Sequence, residues 1–299
     1  MLLRQEVVSG RRYLDVVTAL LQRVRRGDPR YGLWEAADLQ WWWRRPRQSD
    51  DAGQLLWRDG EGPVAAAVFT DWGRTWACDL VLPAGGAGEL RDLVWERAVA
   101  RMTELVPGGI EVAARDDDGW LLEALAGAGF APAGESAVTA WLEAQCRPPV
   151  TPLPPGFRLV SRGDDGTRPH HLAASCGDDV AARLAECSLY QPDLDLRIEA
   201  PTGEVAAYGV FWPDAVTGVG LVEPMRTEAA FQRRGLARHL LAVGIDRLAQ
   251  QGCLRIKVSY LAANLAAKRL YEGAGFRADF TARVYSPIAG LSARLGHRP

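Results

Sequence analysis

The run Gln232-Arg233-Arg234-Gly235-Leu236-Ala237 has the composition of an anion cradle, and Arg238 adds one more positive charge. A helix N-terminus presents backbone N–H groups without intrahelical acceptors and the positive end of the helix dipole, so a loop entering a helix here can hold a pyrophosphate. Gly235 lets the backbone approach a ligand closely, Ala237 keeps the first turn small, and the arginines offer forked N–H donors to phosphate oxygens. Taken alone, the pattern also fits an arginine-rich, solvated helix start. A second chemical candidate is Glu223, a carboxylate in the otherwise apolar run Val219 to Met225. Desolvation there would raise its pKa toward neutrality and suit it to accept a proton; it could equally pair with an arginine or position a substrate cation.

Local sequence supplies the elements that would hold these residues. Val205 to Phe211 and Val219 to Arg226 read as two strands of a hairpin around Pro213-Asp214, preceded by the turn signal Pro201-Thr202-Gly203-Glu204. From Gly235 to Gln250, apolar residues at Leu236, Leu240, Val243 and Leu248 keep helical spacing, and Gly252 ends the helix. Ile256, Val258 and Tyr260 alternate as a strand, and Leu265 to Glu272 reads as a helix closed by Gly273 or Gly275. The order strand, strand, helix, strand, helix predicts an α/β (α+β) architecture.

The chain also repeats itself. Gly62-Pro63-Val64-Ala65-Ala66 matches Gly203-Glu204-Val205-Ala206-Ala207, Leu80-Val81-Leu82-Pro83 matches Leu221-Val222-Glu223-Pro224, and Gly127-Ala128-Gly129-Phe130 matches Gly273-Ala274-Gly275-Phe276, in the same order. Two tandem copies of one fold are predicted. Arg147 to Gly156 (RPPVTPLPPG) cannot continue a helix or a central strand, which divides the chain into 1–146, a linker at 147–156, and 157–299.

Gln232, Gly235 and Ala237 fit a pattern of Gln or Arg, two residues, Gly, one residue, then Gly or Ala. Asn264, Ala267, Leu270, Tyr271, Gly275 and Phe276 fit NxxAxxLYxxxGF about thirty residues later. In both signatures, and in their order, the second half resembles the GNAT superfamily of acetyl-CoA-dependent N-acetyltransferases. The resemblance implies two GNAT domains, each a mixed central sheet flanked by helices. It also implies that the loop from Gln232 to Arg238, Leu236 included, binds the pyrophosphate of acetyl-CoA. Met225, Arg226 and Thr227 would supply backbone groups from a splayed strand to the pantetheine arm and the thioester carbonyl, where amides stabilise an oxyanion. Tyr271 occupies the position of the general acid that protonates the leaving thiolate; as a residue type it is also an ordinary core aromatic. Asn264 would bond the cofactor arm or cap the helix after it. Glu223 becomes the candidate base near the thioester, and Tyr260 a candidate substrate contact.

The first copy departs from the pattern. At an offset of 141, Gln232, Gly235 and Ala237 fall on Arg91, Val94 and Glu96, and at 146, Asn264 and Tyr271 fall on Asp118 and Leu125. A degenerate first domain is expected, with Gly85-Gly86-Ala87-Gly88 as a candidate anion-binding turn. The resemblance therefore implies acetyl transfer to the amine of a small molecule, a pseudodisaccharide as in mycothiol synthases or an aminoglycoside among the open acceptors. An acyl-CoA-binding regulator or scaffold without turnover is the other class.

Composition narrows the partners. With 299 residues, 48% apolar and 24% charged, the chain reads as globular, and a net charge of −2 without a basic stripe argues against nucleic acid. No apolar stretch suits a signal peptide or a membrane span, so a cytoplasmic protein with reduced cysteines is expected, with homodimerisation left open. Cys78, Cys146, Cys176, Cys187 and Cys253 lack metal spacing, His170-His171 reads as a surface or helical pair, and no metal is expected. Trp41-Trp42-Trp43, with Trp34, Trp57, Trp72 and Trp76, reads as core or domain interface, or as an aromatic substrate wall.

Overall fold

A computed structural model describes residues 3–288 apart from 29, 86–87 and 107–108. The first half runs β1 (Arg4–Val8), α1 (Gly10–Gly27), α2 (Ala36–Trp42), β2 (Gln54–Asp59), β3 (Gly62–Asp71), β4 (Trp76–Val81), α3 (Gly88–Leu105), β5 (Glu111–Arg115), α4 (Gly119–Gly127) and β6 (Phe130–Glu143). The second half repeats that order: β7 (Arg158–Ser161), α5 (Ala173–Cys176), α6 (Val180–Ala185), β8 (Asp195–Glu199), β9 (Val205–Asp214), β10 (Val219–Thr227), α7 (Leu236–Gln250), β11 (Arg255–Leu261), α8 (Leu265–Gly273) and β12 (Arg277–Pro287). The hairpin tip lies beyond Asp214, whose carbonyl accepts from Gly218 N–H at 2.8 Å, rather than at Pro213-Asp214.

All of these strands form one mixed sheet in the order β1-β2-β3-β4-β5-β12-β6-β11-β10-β9-β8-β7. The two halves exchange their last strands. β6, from the first half, pairs antiparallel with β11 from Arg255↔Glu143 to Leu261↔Ala137, and β12 pairs with β5 from Ala282↔Arg115 to Tyr285↔Val112. Residues 147–156 lie between β6 and β7, and one sheet runs across both halves.

Burial explains the layering. One face carries α3 and α4 over the first half through Val94, Ala98, Met102, Leu121 and Leu125, and α7 and α8 over the second through Leu236, Leu240, Leu241, Ile245 and Tyr271. Gly244 brings α7 onto β9: a Cβ there would lie 2.0 Å from the Phe211 ring. On the opposite face a single apolar core joins α1 and α2 to α5 and α6 and to Val210, Trp212 and Leu221 of the second half. Trp41, Trp42, Trp43 and Trp57 are buried, and Trp41 meets Trp212 edge-on at 6.4 Å, so most of the tryptophans serve core and interface.

Polar groups register the two halves. Gln40 Nε2 donates to Ser188 Oγ at 2.9 Å while its Oε1 accepts from Leu189 N–H at 2.8 Å. Lys257, 1% exposed on β11, reaches the Leu33 carbonyl and Glu35 Oε1 at 3.1 Å. An ammonium so deeply buried is tolerable only with its charge compensated, here from the loop ahead of α2.

His170 and His171 are not a surface pair. Both side chains are buried around Asp195, with His170 Nε2 2.9 Å from Oδ2 and His171 Nε2 3.3 Å from Oδ1. Sequence spacing hid this cluster because Asp195 arrives from β8. Leu172 N–H donates to His170 Nδ1 at 3.1 Å. Tyr190 donates to Asp195 Oδ2 at 2.6 Å, while His170 Nε2, both ring nitrogens of His171 and Asp195 Oδ1 are buried without a hydrogen-bond partner among the described residues.

Candidate active site

β10 is the element on which the site is built. It pairs parallel with β11 only from Val219↔Arg255 to Leu221↔Lys257, then leaves it. On its other side, pairing with β9 gains one residue between Val222 and Met225, a bulge at Glu223-Pro224. Gly209 makes room for it, since a Cβ there would stand 3.3 Å from the Pro224 carbonyl oxygen. Beyond the bulge, Met225, Arg226 and Thr227 remain bonded to β9 alone. Strand alternation turns every second amide of that segment toward the gap left by β11.

That gap is a groove of 690 Å³ between β10, the start of α7 and the outer face of α8. Met225, Arg226, Thr227, Gln232, Arg233, Gly235, Leu236, Ala237, Arg238, Asn264 and Tyr271 line it, so eleven of the thirteen residues predicted from sequence share one cleft. Arg234 lies off the groove, its Nη2 3.5 Å from the Ala230 carbonyl and its guanidinium toward Phe231. Glu223 is not among the residues that line the groove, although its charge reaches Tyr271. Phe231, Ala266, Ala267 and Leu270 complete the wall. Sequence reading passed over Phe231 and Ala266 because apolar residues beside a ligand look like any helix face.

The cradle has the conformation an anion needs. Arg233 and Gly235 are both left-handed, with φ of 59° and 83°, and a Cβ on Gly235 would meet nothing within 4 Å. Among the described residues the amides from Arg233 to Arg238 have no backbone acceptor; His239 N–H, bonded to Gly235 O at 3.1 Å, is the first that does. Thr227 Oγ1 is buried without a partner. Unsatisfied donors beside open space, with Arg233 and Arg238 at hand, suit a diphosphate.

Asn264 caps α8, its Oδ1 accepting from Ala267 N–H at 3.0 Å, and still borders the groove. Tyr271 is buried against Tyr260 at 5.6 Å and Phe276 at 5.6 Å. Burial, with the Glu223 charge as a lesser cause, raises its phenol well above the ordinary value, so it remains a proton donor. Tyr260 stands behind Tyr271, 7% exposed.

Glu223 faces the first half of the chain. Desolvation and then the nearby Asp38 carboxylate push its carboxyl up to about 7, while Arg44 and the Trp41 side chain pull it down. Trp212 Nε1 fixes the bulge by donating to the Glu223 carbonyl at 2.6 Å. Asp38, Trp41 and Arg44 come from α2 and the turn after it, and sequence reading missed their approach because they lie some 180 residues upstream. Trp41 was visible only as part of an aromatic cluster.

The first half carries a related but altered cleft of 520 Å³, bordered by Leu82, Arg91, Asp118 and Trp120. Asp118 caps α4 by accepting from Leu121 N–H at 3.1 Å, as Asn264 caps α8, and Leu125 takes the place of Tyr271. The pairing of Gly235 with Val94 is corrected. α3 begins at Gly88 and α7 at Leu236, so Val94 lies within the helix, fully buried in the core. The offset changes because β10 is longer than β4 and the loop before α7 is longer than that before α3. Of the turn Gly85-Gly86-Ala87-Gly88, which precedes α3, residues 86 and 87 lie outside those described.

Among the described residues no helix is long and apolar enough to cross a membrane. Residues 175–276 match the acetyltransferase (GNAT) family. A segment of 59 residues is 44% identical to [Ribosomal protein bS18]-alanine N-acetyltransferase of Salmonella typhimurium, a match spanning 20% of this chain and 40% of that protein. Among solved structures, a tandem GNAT protein from the clavulanic acid biosynthesis pathway superposes with a TM-score of 0.69 at 13% identity, over 97% of this chain and 99% of that one. A GCN5-related N-acetyltransferase from Sphaerobacter thermophilus gives 0.61 at 14% identity, covering 95% of each chain. Residues 175–276 thus resemble the GNAT acetyltransferase family, and over nearly its whole length the chain has the fold of a tandem GNAT protein.

Proposed function

We propose that the protein transfers the acetyl group of acetyl-CoA to the amine of a small molecule by direct attack in a ternary complex, using the second half as the catalytic unit. The observation that carries this reading is the splayed β10, which joins a groove holding a phosphate cradle and a phenol to a carboxylate of raised pKa at its bulge. The relative from Salmonella typhimurium is named for an alanine acceptor, which supports an amine as the acceptor class.

Each residue then has a physical task. The free amides from Arg233 to Arg238, with Arg233 and Arg238, hold the pyrophosphate of acetyl-CoA. The gap-facing amides of Met225 to Thr227 hold the thioester carbonyl and the negative charge that grows on its oxygen. Glu223 takes the proton from the attacking amine, which a carboxyl at about 7 can do near neutral pH. Tyr271 gives its proton to the departing sulfur. No described residue of the reaction path calls for a metal, and the first half serves to cover Glu223.

Thiol release measured with acetyl-CoA and a panel of amines tests this. Release that requires both substrates and is lost in Tyr271→Phe supports the assignment. Acetyl-CoA binding without amine-dependent release by any member would leave the non-catalytic acyl-CoA-binding reading in its place.

A further inference from the structure

The turn after α2 carries Arg44, Arg45 and Arg47, and among the described residues none of the three lies within 4.0 Å of a carboxylate oxygen. Several arginines elsewhere are paired, as Arg183 is with Asp50 and Arg197 with Glu199 at 2.9 Å. Arg44 is part-buried, stacked 3.9 Å over the Trp41 ring, with Nη1 donating to the Trp41 carbonyl at 2.8 Å. Its Nε is buried and has no acceptor, and Arg47 Nη2 is likewise unpartnered. A buried guanidinium N–H without an acceptor is costly, and the cost is recovered when an anion arrives.

The groups facing Arg44 come from both halves. Glu223 of β10 and the Cys176 thiol of α5 lie close enough to raise its pKa, Arg45 lowers it, and desolvation is the largest influence and also lowers it. Trp41, beneath the guanidinium, also reaches toward Glu223. A carboxyl suited to receive an amine and a guanidinium lacking an anion therefore share one indole ring, the guanidinium stacked over its face. Glu223 does not pair with Arg44, since no carboxylate oxygen of the described residues lies within 4.0 Å of that guanidinium.

Resting on the acetyltransferase reading above, we propose that the acceptor is an amine that carries its own carboxylate or phosphate. Arg44 of the first half pairs with that acid group while Glu223 of the second receives the amine. In the transfer, the amine nitrogen bonds to the acetyl carbon, the carbon–sulfur bond breaks, one amine proton passes to Glu223, and sulfur takes the Tyr271 proton. The acid group is unchanged, and its role is to orient the amine. The first copy, which has Leu125 where the second has Tyr271, thereby sets specificity.

The test begins with calorimetry of acetyl-CoA on the full chain, because failure to bind would remove the acetyltransferase reading itself. The protein with acetyl-CoA is then given a mixture of matched amines: the common amino acids with their decarboxylated amines, and phosphoethanolamine with ethanolamine. Mass spectrometry reports which become acetylated. The expected result is acetylation confined to, or at least about tenfold in favour of, members bearing an acid group. Arg44→Ala should lower kcat/KM for those members by about tenfold or more, mainly in their KM, with acetyl-CoA affinity unchanged and partial recovery in Arg44→Lys. Preference for the amines without an acid group, or no acetylation of any acid-bearing member while acetyl-CoA binds, would overturn the inference. So would an Arg44→Ala variant that loses both members of each pair equally.

Discussion

Replacing Glu223 by glutamine removes one ionisable group and leaves its shape. The structure places that carboxyl at about 7, because burial and the Asp38 charge outweigh Arg44 and Trp41. Below that value the base is protonated and cannot accept the amine proton. With a weakly basic acceptor, whose own titration does not overlap, kcat/KM should rise with pH along a limb centred near 7. At one pH unit below the midpoint it should be about tenfold under the plateau. A carboxyl at its ordinary value would leave the rate flat across that interval. Glu223→Gln should cost about 10² to 10⁴ in kcat/KM and abolish the limb, leaving acetyl-CoA affinity unaltered. Stability should move the other way. The folded pKa is raised, so between the ordinary carboxylate value and about 7 the unfolded chain binds fewer protons and stability falls as pH rises. Glutamine avoids a cost of up to about 3 kcal/mol above pH 7. Initial rates of thiol release, with urea denaturation on either side of neutrality, measure both. A limb that survives in Glu223→Gln, or a wild-type profile with no limb near 7, would refute the assignment of the base.

Three further outcomes follow from the same geometry. Tyr271→Phe should reduce kcat by about 10² or more without weakening acetyl-CoA binding, because only the proton donor is removed; a variant with unchanged kcat, read by single-turnover thiol release, would exclude the phenol. Lys257→Met should cost about 3–5 kcal/mol by denaturant titration, since Glu35 and Asp38 would lose the buried ammonium; a loss below about 1 kcal/mol would show that Arg25, 3.5 Å from Glu35, compensates alone. Gly244→Ala should destabilise by about 1–3 kcal/mol, because its methyl would overlap the Phe211 ring; an unaltered urea midpoint would mean that α7 shifts freely.

Local structure in the second half was legible because it is written locally. The observed bounds of β9, β10, α7, β11 and α8 fall within a few residues of the periodicity, and Gly235 and Asn264 stand at the helix starts where their types place them. The groove lining was legible too, because its residues are close in sequence. What stayed hidden depends on long-range pairing. The exchange of β6 and β12 leaves no trace in either strand's composition, since each faces a similar partner in the other copy. His170-His171 looked superficial without Asp195, and Asp38, Trp41 and Arg44 looked unrelated to Glu223 until the shared core was in view. The first copy's Val94 was misplaced because a constant offset cannot follow a change in strand and loop length.

The central claim is that the cradle ahead of α7 holds the pyrophosphate of acetyl-CoA, and calorimetry of acetyl-CoA on wild type and Gly235→Glu tests it most directly. Gly235 is left-handed with open space beside it, so a carboxylate there would strain the turn by about 1 kcal/mol and place negative charge against the phosphates. The account predicts binding at a single site in the wild type and its loss in the variant, with the urea midpoint little changed. Equal binding by both proteins would contradict it.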